Sequence, residues 1–286
     1  MTQPPDLLDT LALERIEKNL YRGPALGGQG GRLFGGHVIA QALLAGYETI
    51  EGRVCHSLHA YFVRPGDPRI PILYEVDRAR DGASFTTRRV AAIQNGEQIL
   101  NLAASFQVVE EGRSHQMPSP PAPAPDTIAN MGFPIPEGDE EAKARAAALW
   151  RRPVEMRQID PQDFTNPRPM APNKSVWVRA VDPVGDDVRR QHAALAYASD
   201  MNLLETAMRP HGAIWQTPGL QSASLDHAVW FHQKFDFSDW HLFTQDSPIS
   251  HGGRGFVRGA IYTQGGAHVA SIAQEGLLRF RAPRPA

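Results

Sequence analysis

The sequence predicts an α+β protein built from two similar units in tandem, each a long helix packed against an antiparallel sheet. In both halves of the 286-residue chain a helical segment is followed by several strands, without the alternation of helix and strand that is typical of parallel sheets. Each series also ends in a hairpin signal, Asn-Gly at 95–96 and Gln-Gly-Gly at 264–266. The repeated order of elements favours a duplicated unit over a chance likeness.

The two halves also share one sequence spacing. Ser57 precedes Gln107 by 50 positions, and Ser224 precedes Gln274 by the same 50. A duplication would place each serine and glutamine at equivalent points of its own sheet. We therefore expect the registers of the two halves to agree.

The first half begins with an expected amphipathic helix over Asp6–Asn19, where leucine and isoleucine recur at helical spacing. Six glycines between Gly27 and Gly36 then lead into an apolar helix, His37–Thr49. A glycine-rich loop before a helix can cradle phosphate, but neither GxxxxGK[ST] nor GxGxxG is completed here. Close backbone packing of the helix is the better interpretation. The expected strands of this half are His56–Arg64, Ile72–Arg80, Ser84–Ile93 and Gln98–Val108.

A proline-rich stretch separates the two halves. Seven of the 24 prolines lie between Pro118 and Pro136, and such a segment cannot join the interior of a sheet. The predicted organisation is therefore an N-terminal unit (1–113), a linker with a helical segment (114–150) and a C-terminal unit (151–286). The expected elements after the linker are a helix at Glu140–Trp150, strands at Val154–Ile159 and Lys174–Val181, a helix from Asp186 to before Pro210, and strands at Ser222–His232, Trp240–Thr244, Gly255–Thr263 and His268–Phe280.

The strand Ser222–His232, reading SASLDHAVWFH, carries an unusual number of polar side chains. Alternation places Ser224 and Asp226 on one face and His227 on the other. Burying so many polar groups without partners would be costly, so at least one face is expected to meet polar groups.

Composition excludes several classes of protein. A net charge of -2 argues against a dedicated nucleic-acid binder. Cys55 is the only cysteine, so no intrachain disulfide or cysteine zinc site is expected. The N-terminus lacks the pattern of a signal peptide, and no run of apolar residues is long enough for a membrane span. We expect a cytoplasmic protein without a membrane partner.

Common catalytic motifs are missing from the sequence. It has no GxSxG nucleophile elbow and no HExxH, and its 11 histidines are scattered. Neither a metal nor another cofactor is expected. What remains is a candidate water-activating set of Asp200, Ser224 and Gln274. Each has an alternative interpretation: the aspartate as a helix cap, the serine bonded to its local backbone, and the glutamine paired with a buried carbonyl.

The sequence resembles the type II acyl-CoA thioesterases, or double-hotdog thioesterases. The likeness spans nearly the whole chain and lies in LFGGHVIAQAL, HSLHAYFVRPGD, RDGASFTTRRVAAIQNG and ASFQ of the first half. In the second half it lies in YASDMNLL, SLDHAVWFH, GRGFVRGAIYTQGG and VASIAQEG. The resemblance implies two tandem hotdog units, each a long helix wrapped by an antiparallel sheet. It also implies hydrolysis of acyl-CoA to fatty acid and CoA, without a metal or a covalent intermediate.

The resemblance also implies roles for the candidate residues. The family's aspartate falls on Asp200 and its glutamine on Gln274, while its hydroxyl residue, most often threonine, falls on Ser224. The aspartate would act as the general base and the other two would orient water. His227, His232 and Asp226 are expected to be structural. The first half offers no matching aspartate, so its pair of Ser57 and Gln107 should mark a degenerate site.

Further expectations follow from the resemblance. His37 stands where the family is expected to have glutamine, and its role is open. Candidate phosphate contacts for CoA are Arg64, Arg88, Arg89, Arg254 and Arg258, although exposed arginines are usually only solvated. A homo-oligomer is expected, because hotdog sheets commonly pair. The alternatives are a hotdog acyl-CoA hydratase or dehydratase, which would need an Asp/His pair at a helix start, and a non-catalytic acyl-CoA binding protein.

Overall fold

The structure is a computed structural model that describes residues 6–25, 31–128 and 153–281. Its helices are α1 (Leu7–Leu11), α2 (Gly35–Tyr47), α3 (Val188–Ser199) and α4 (Glu205–Met208), with short 3₁₀ turns at Pro125–Thr127 and Arg209–His211. The strands of the first half are β1 (Glu14–Glu17), β2 (Leu20–Gly23), β3 (Val54–Phe62), β4 (Ile72–Asp81), β5 (Phe85–Gln94) and β6 (Glu97–Gln107). Those of the second half are β7 (Val154–Gln158), β8 (Asn173–Ala180), β9 (Leu220–Ser224), β10 (Asp226–Phe231), β11 (His241–His251), β12 (Arg254–Thr263) and β13 (His268–Phe280).

All these strands form one antiparallel sheet. Its order is β1-β2-β4-β5-β6-β3-β10-β13-β12-β11-β8-β7, with β9 paired to β13. Read outward from the central β3–β10 pair, the first half runs β3, β6, β5, β4, β2 and the second runs β10, β13, β12, β11, β8. The two halves therefore have matching strand orders and share one continuous ladder of hydrogen bonds.

The long helices α2 and α3 pack against each other; α2 also packs against β2 to β6, and α3 contacts β3. Nearly every residue of α2 from Gly36 to Tyr47 is buried, and all of α3 from Gln191 to Ser199 is buried. A helix that is buried on all sides needs small side chains where it meets another helix, and the alanines of both helices meet this need. The site described below lies where the two helices meet.

Strands β3 to β6 agree with the sequence prediction to within about two residues at each end. The turn between β5 and β6 has a positive φ at both central residues, 52° at Asn95 and 76° at Gly96, as the Asn-Gly hairpin requires. The predicted helix over Asp6–Asn19 is wrong beyond Leu11. The chain from Leu20 onward pairs with β4, and Asn19, at a φ of 64°, provides the tight turn between β1 and β2.

The predicted agreement of registers between the halves is also wrong. Ser57 lies opposite Ser105, and Gln107 is two positions further along β6, opposite Val54. Ser224 lies opposite Gly276, so Gln274 is two positions earlier along β13. The two glutamines therefore lie on opposite sides of their serines, and the shared spacing of 50 marks no structural equivalence.

Other predictions concern the linker and the membrane. The described part of the proline-rich segment forms no strand, while the expected helix at Glu140–Trp150 lies outside the described residues. Within the ranges that the structure covers, none of the helices has the length and apolar character needed to cross a bilayer.

Candidate functional site

Asp200 lies where the C-terminal end of α3 meets the N-terminal end of α2. It is the C-terminal cap of α3, and the predicted single helix from Asp186 to Pro210 is interrupted there. Its carboxylate accepts a hydrogen bond from the backbone N–H of Gly36, in the first turn of α2. The free N–H groups and the positive dipole end of α2 favour an anion at this point. The alternative interpretation of Asp200 as a simple cap for a helix starting at Met201 is wrong.

The glycines before α2 allow this approach. A Cβ added to Gly35 would come within 2.7 Å of Asp200 Oδ2, and one added to Gly36 would come within 2.4 Å of the Tyr197 carbonyl oxygen. Both distances are shorter than a carbon atom tolerates. The expectation that the glycine-rich stretch serves close helix packing is therefore confirmed at these two positions.

The structure brings the three predicted residues together. Ser224 Oγ donates to Asp200 Oδ1 at 3.3 Å, and Gln274 Nε2 donates to Ser224 Oγ at 2.8 Å. Asp200 and Gln274 are buried, and Ser224 is half-buried, so it is the most exposed of the three. The three side chains come from the end of α3, the end of β9 and the middle of β13.

The predicted strand Ser222–His232 is broken, and the break changes which residues share a face. Ser224 lies opposite Gly276 and Ala228 lies opposite Ala273, so four steps on one strand span three on the other. This extra residue is a β-bulge. The side chain of Asp226 fills the interrupted ladder by accepting the N–H of Glu275 at 2.7 Å.

Because of this bulge, His227 lies on the same side as Ser224, and the predicted alternation of faces is wrong. His227 Nδ1 lies 2.6 Å from Gln274 Oε1, and its Nε2 lies 2.8 Å from Ser199 Oγ. The imidazole is fully buried. Sequence reasoning treated His227 as structural only and missed its contact with the site, since nothing in the sequence marks the bulge.

Burial controls the acid–base properties of the site. It raises the pKa of Asp200 from 3.8 to about 7, against the opposing effect of hydrogen bonds from Ser224, Gly36 and Gln274. Burial also lowers the pKa of His227 to about 4, so its ring is neutral near neutral pH. A carboxylate with a pKa close to 7 is well matched to general-base chemistry in that range.

Other predicted residues lie away from this cluster. His37 Nε2 donates to the Pro24 carbonyl at 2.8 Å, so its ring anchors the N-terminal segment to α2. His232 contacts Ser271 at 2.9 Å across the β10–β13 pair, and Asp226 holds the bulge, which agrees with the structural roles expected of both. A cavity of about 560 Å³ opens against β8, β11 and β12, and none of Asp200, Ser224 and Gln274 lines it.

Four of the candidate CoA arginines have protein partners. Arg88 is buried and pairs with Asp81, so it is a structural residue. The other three, each at the surface, are Arg64 with Glu97, Arg254 with Glu275 and Arg258 with Asp246. Arg89 is exposed on β5.

Comparisons with known proteins address the fold and the family. A family model described as acyl-CoA thioesterase matches residues 151–277, and one described as acyl-CoA thioesterase N-terminal domain matches residues 24–107. Acyl-CoA thioesterase 2 of Haemophilus influenzae is 35% identical over 287 residues, covering 96% of this chain and 97% of its own.

Solved structures are similar along the same length. An acyl-CoA thioesterase II from Mycobacterium marinum matches with a TM-score of 0.80 and 41% identity, covering 96% of this chain and 99% of that chain. A protein of unknown function with a hot dog fold from Alicyclobacillus acidocaldarius matches with a TM-score of 0.77 at 19% identity, covering 96% and 98%. The second likeness concerns the fold alone. The expected hotdog-type fold, with a large antiparallel sheet and few helices, is confirmed.

Proposed function

The chain belongs to the acyl-CoA thioesterase family and is a thioester hydrolase of that family, and we propose that its base is Asp200. In this proposal Asp200 removes a proton from a water molecule while Ser224 and Gln274 orient that water toward the thioester of an acyl-CoA. The observation that supports it most directly is the hydrogen-bonded series Gln274–Ser224–Asp200, with distances of 2.8 and 3.3 Å.

The proposed reaction needs no covalent intermediate on the protein. The oxygen of water attacks the thioester carbonyl carbon as its proton passes to Asp200, and a tetrahedral intermediate forms. The intermediate then collapses, the carbon–sulfur bond breaks, and the proton held by Asp200 neutralises the departing CoA thiolate. The products are a fatty acid and CoA. A positioned general base of this kind contributes about 10²–10⁴-fold to the rate.

The start of α2 is suited to the developing negative charge. The first turn of a helix carries backbone N–H groups without partners inside the helix, and its dipole favours an anion. Gly36 already donates to the Asp200 carboxylate from this turn. We assign stabilisation of the carbonyl oxygen to the same turn, with N–H groups as the donors. In this proposal both halves of the chain contribute to one site.

The division into tandem hotdog units is part of the proposal. The matching strand orders on either side of the β3–β10 pair support an N-terminal unit (1–113), a linker segment (114–150) and a C-terminal unit (151–286). Among the described residues of the first half, no counterpart of the proposed site is found. The segment GGHVIAQAL of α2 carries no aspartate, and Ser57 and Gln107 are not placed like Ser224 and Gln274.

The test is an assay of CoA release from a panel of acyl-CoAs, with the free thiol detected by DTNB. Asp200→Ala should lose most of the turnover on every substrate, while the exposed β4 variant Asp77→Ala, a matched carboxylate control, should keep it. Wild-type kcat in the Asp200 variant would contradict the proposed base. Binding without release would support a non-catalytic binding protein, and water addition to an enoyl-CoA would support a hydratase.

The hydratase alternative has little structural support. It requires an aspartate and a histidine paired at the start of a helix. Asp200, at the end of α3, does contact the start of α2. His37, the histidine in that turn, is directed to the carbonyl of Pro24. Hydrolysis therefore remains the function that this geometry favours.

We also propose that the protein forms a homo-oligomer and lies in the cytoplasm. Homo-oligomerisation would be tested by sedimentation of the purified full chain, where a single monomeric species would contradict it. A cytoplasmic location would be tested by cell fractionation followed by immunodetection.

A further inference from the structure

His227 is a fully buried histidine that touches the proposed site but is not one of its three water-activating residues. We infer that His227 is a positioning residue, which sets the orientation of the Gln274 amide and so directs the hydrogen bonds of the site toward Asp200. This inference rests on the proposed function, because it concerns how the water-orienting residues are held.

The direction of the hydrogen bonds can be followed from Asp200. An ionised carboxylate only accepts, so the hydroxyl of Ser224, 3.3 Å away, is the donor. The oxygen of that hydroxyl can then accept, and Gln274 Nε2 donates to it at 2.8 Å. The amide nitrogen of Gln274 thus faces Ser224, and its oxygen must face the other way.

The same reasoning determines the proton on the imidazole. Gln274 Oε1 is an acceptor only, so His227 Nδ1 at 2.6 Å must carry the hydrogen. A ring that is neutral, as burial dictates, then has a free lone pair on Nε2. Ser199 Oγ lies 2.8 Å from Nε2 and 2.9 Å from the Ala196 carbonyl oxygen, so these two acceptors compete for its single hydrogen. From His227 onward the donors therefore run in one direction, through Gln274 and Ser224 to Asp200.

The hydrogen on His227 Nδ1 matters because the side-chain amide of Gln274 can rotate by 180° with almost no change of shape. If Gln274 were reversed, its oxygen would face Ser224 and would accept the serine hydroxyl proton. Ser224 would then no longer donate to Asp200, and the water-orienting geometry would be lost. The Nδ1–H of His227 favours the productive orientation, since a reversed amide would bring its own N–H against this donor.

A matched pair of substitutions tests the inference. In His227→Asn the side-chain amide nitrogen can occupy the place of Nδ1 and donate to Gln274. In His227→Gln the terminal amide reaches the place of Nε2, next to Ser199, and the contact with Gln274 is lost. Both variants replace the ring by an amide, so a general loss of ring packing affects both.

We expect His227→Asn to keep kcat within about 3-fold of wild type, and His227→Gln to lose about 10- to 100-fold in kcat with little change in KM, because a misdirected water loses much of the gain from positioning. Thermal denaturation of both variants measures their folding separately. Equal kcat values in two folded variants would overturn the inference. If both variants fail to fold, the measurement on the wild-type protein described next decides.

That second measurement does not depend on activity. Nitrogen-15 NMR of the histidine side chains in the full-length wild-type protein, at about pH 8, distinguishes the two neutral tautomers of the buried ring. The Nδ1-protonated tautomer is expected for His227, whose side-chain signals are assigned in the wild-type protein through correlations to its own backbone and that of Ala228. An Nε2-protonated ring or an imidazolium would overturn the inference. Failure of the wild type to release CoA would instead contradict the proposed function and leave the tautomer result standing.

Discussion

The carboxylate of Asp200, at the end of α3, accepts the backbone N–H of Gly36, at the start of α2. Two helices from different halves of the chain therefore meet at the group that we propose as the base. The joint is tight, because the missing Cβ atoms of Gly35 and Gly36 are what allow the approach.

The first prediction concerns glycine at the joint. Gly35→Ala would place a Cβ 2.7 Å from both Asp200 Oδ2 and the ring of Phe62, so the carboxylate must move. We expect kcat to fall by at least about 10²-fold, since small displacements at a reacting centre are costly. The control is Gly46→Ala in the same helix, where the nearest atom would be 3.5 Å away and alanine favours helix. Equal activity in the two variants would contradict the importance of this contact.

The second prediction is the pH dependence of hydrolysis. A general base must be ionised, and the pKa of Asp200 is raised to about 7 by burial. The value of kcat/KM should therefore rise with pH and level off above an apparent pKa near 7. The pKa of His227 is lowered to about 4, so this ring does not account for a transition near 7. A flat profile between about pH 5 and 9 would exclude a base of this kind.

The third prediction is a gain of stability when the base is removed. Because its pKa is raised, folded Asp200 binds a proton between about pH 4 and 7 that the unfolded chain has released, so stability falls as pH rises through this window. Asp200→Asn should abolish this loss. The rise of the pKa of Asp200 from 3.8 to about 7 corresponds to up to about 4 kcal/mol of stability lost above pH 7.

Urea denaturation of Asp200→Asn and wild type should thus give a difference that is small at about pH 4 and largest above about pH 7. A difference that is independent of pH would show that the burial of an ionised carboxylate is not its cause. The same variant should be inactive, as expected where an active site is held at a cost in stability.

The fourth prediction concerns the hydroxyl of Ser224, which both accepts from Gln274 and donates to Asp200. Ser224→Thr keeps the oxygen and should retain kcat within about 3-fold, since threonine differs here only by a methyl group that restricts rotation. Ser224→Ala removes the link and should lower kcat by about 10-fold or more. If alanine and threonine behaved alike, the hydroxyl would have no part in orienting water.

The fifth prediction concerns a buried ion pair next to the site. Lys174 Nζ lies 3.1 Å from Glu205 Oε2 and donates to the carbonyl of Asn202 at 2.8 Å, so it holds the turn that follows Asp200. Lys174→Met leaves Glu205 buried without its partner and should destabilise the fold by about 3–5 kcal/mol.

The matched variant for this pair is Lys174→Met combined with Glu205→Gln, which removes both charges. It should recover part of the lost free energy of unfolding, because no unpaired charge is left buried. If the double variant were no more stable than Lys174→Met, the ion pair would not be the source of the effect.

The fold could be predicted from the sequence wherever local pattern and tertiary structure agree. The β5–β6 hairpin is one case, because alternating β-formers flank an Asn-Gly turn. The segment Asp6–Asn19 is the opposite case. Its spacing is helical, but pairing of Leu20–Gly23 with β4 draws the chain into a strand, which is a tertiary effect invisible to periodicity.

The residues of the site also divide into those that the sequence predicts and those that it does not. Asp200, Ser224 and Gln274 could be named from the sequence because polar side chains in apolar segments stand out. His227 could not, since its position depends on a single extra residue in the β9–β10 strand that moves it to the face of Ser224. Gly35 and Gly36 could be predicted as packing residues, but their neighbour Asp200 is more than 160 positions away along the chain.

The continuous pairing of β3 with β10 has a consequence for how the two halves of the chain assemble. Main-chain hydrogen bonds between β3 and β10 and the packing of α2 against α3 hold the two halves together without the covalent connection. A chain cut between Ser114 and Pro125 should stay assembled as a complemented pair of fragments. Neither fragment alone could bring Asp200 against Gly36, so hydrolysis would begin only once the two had associated.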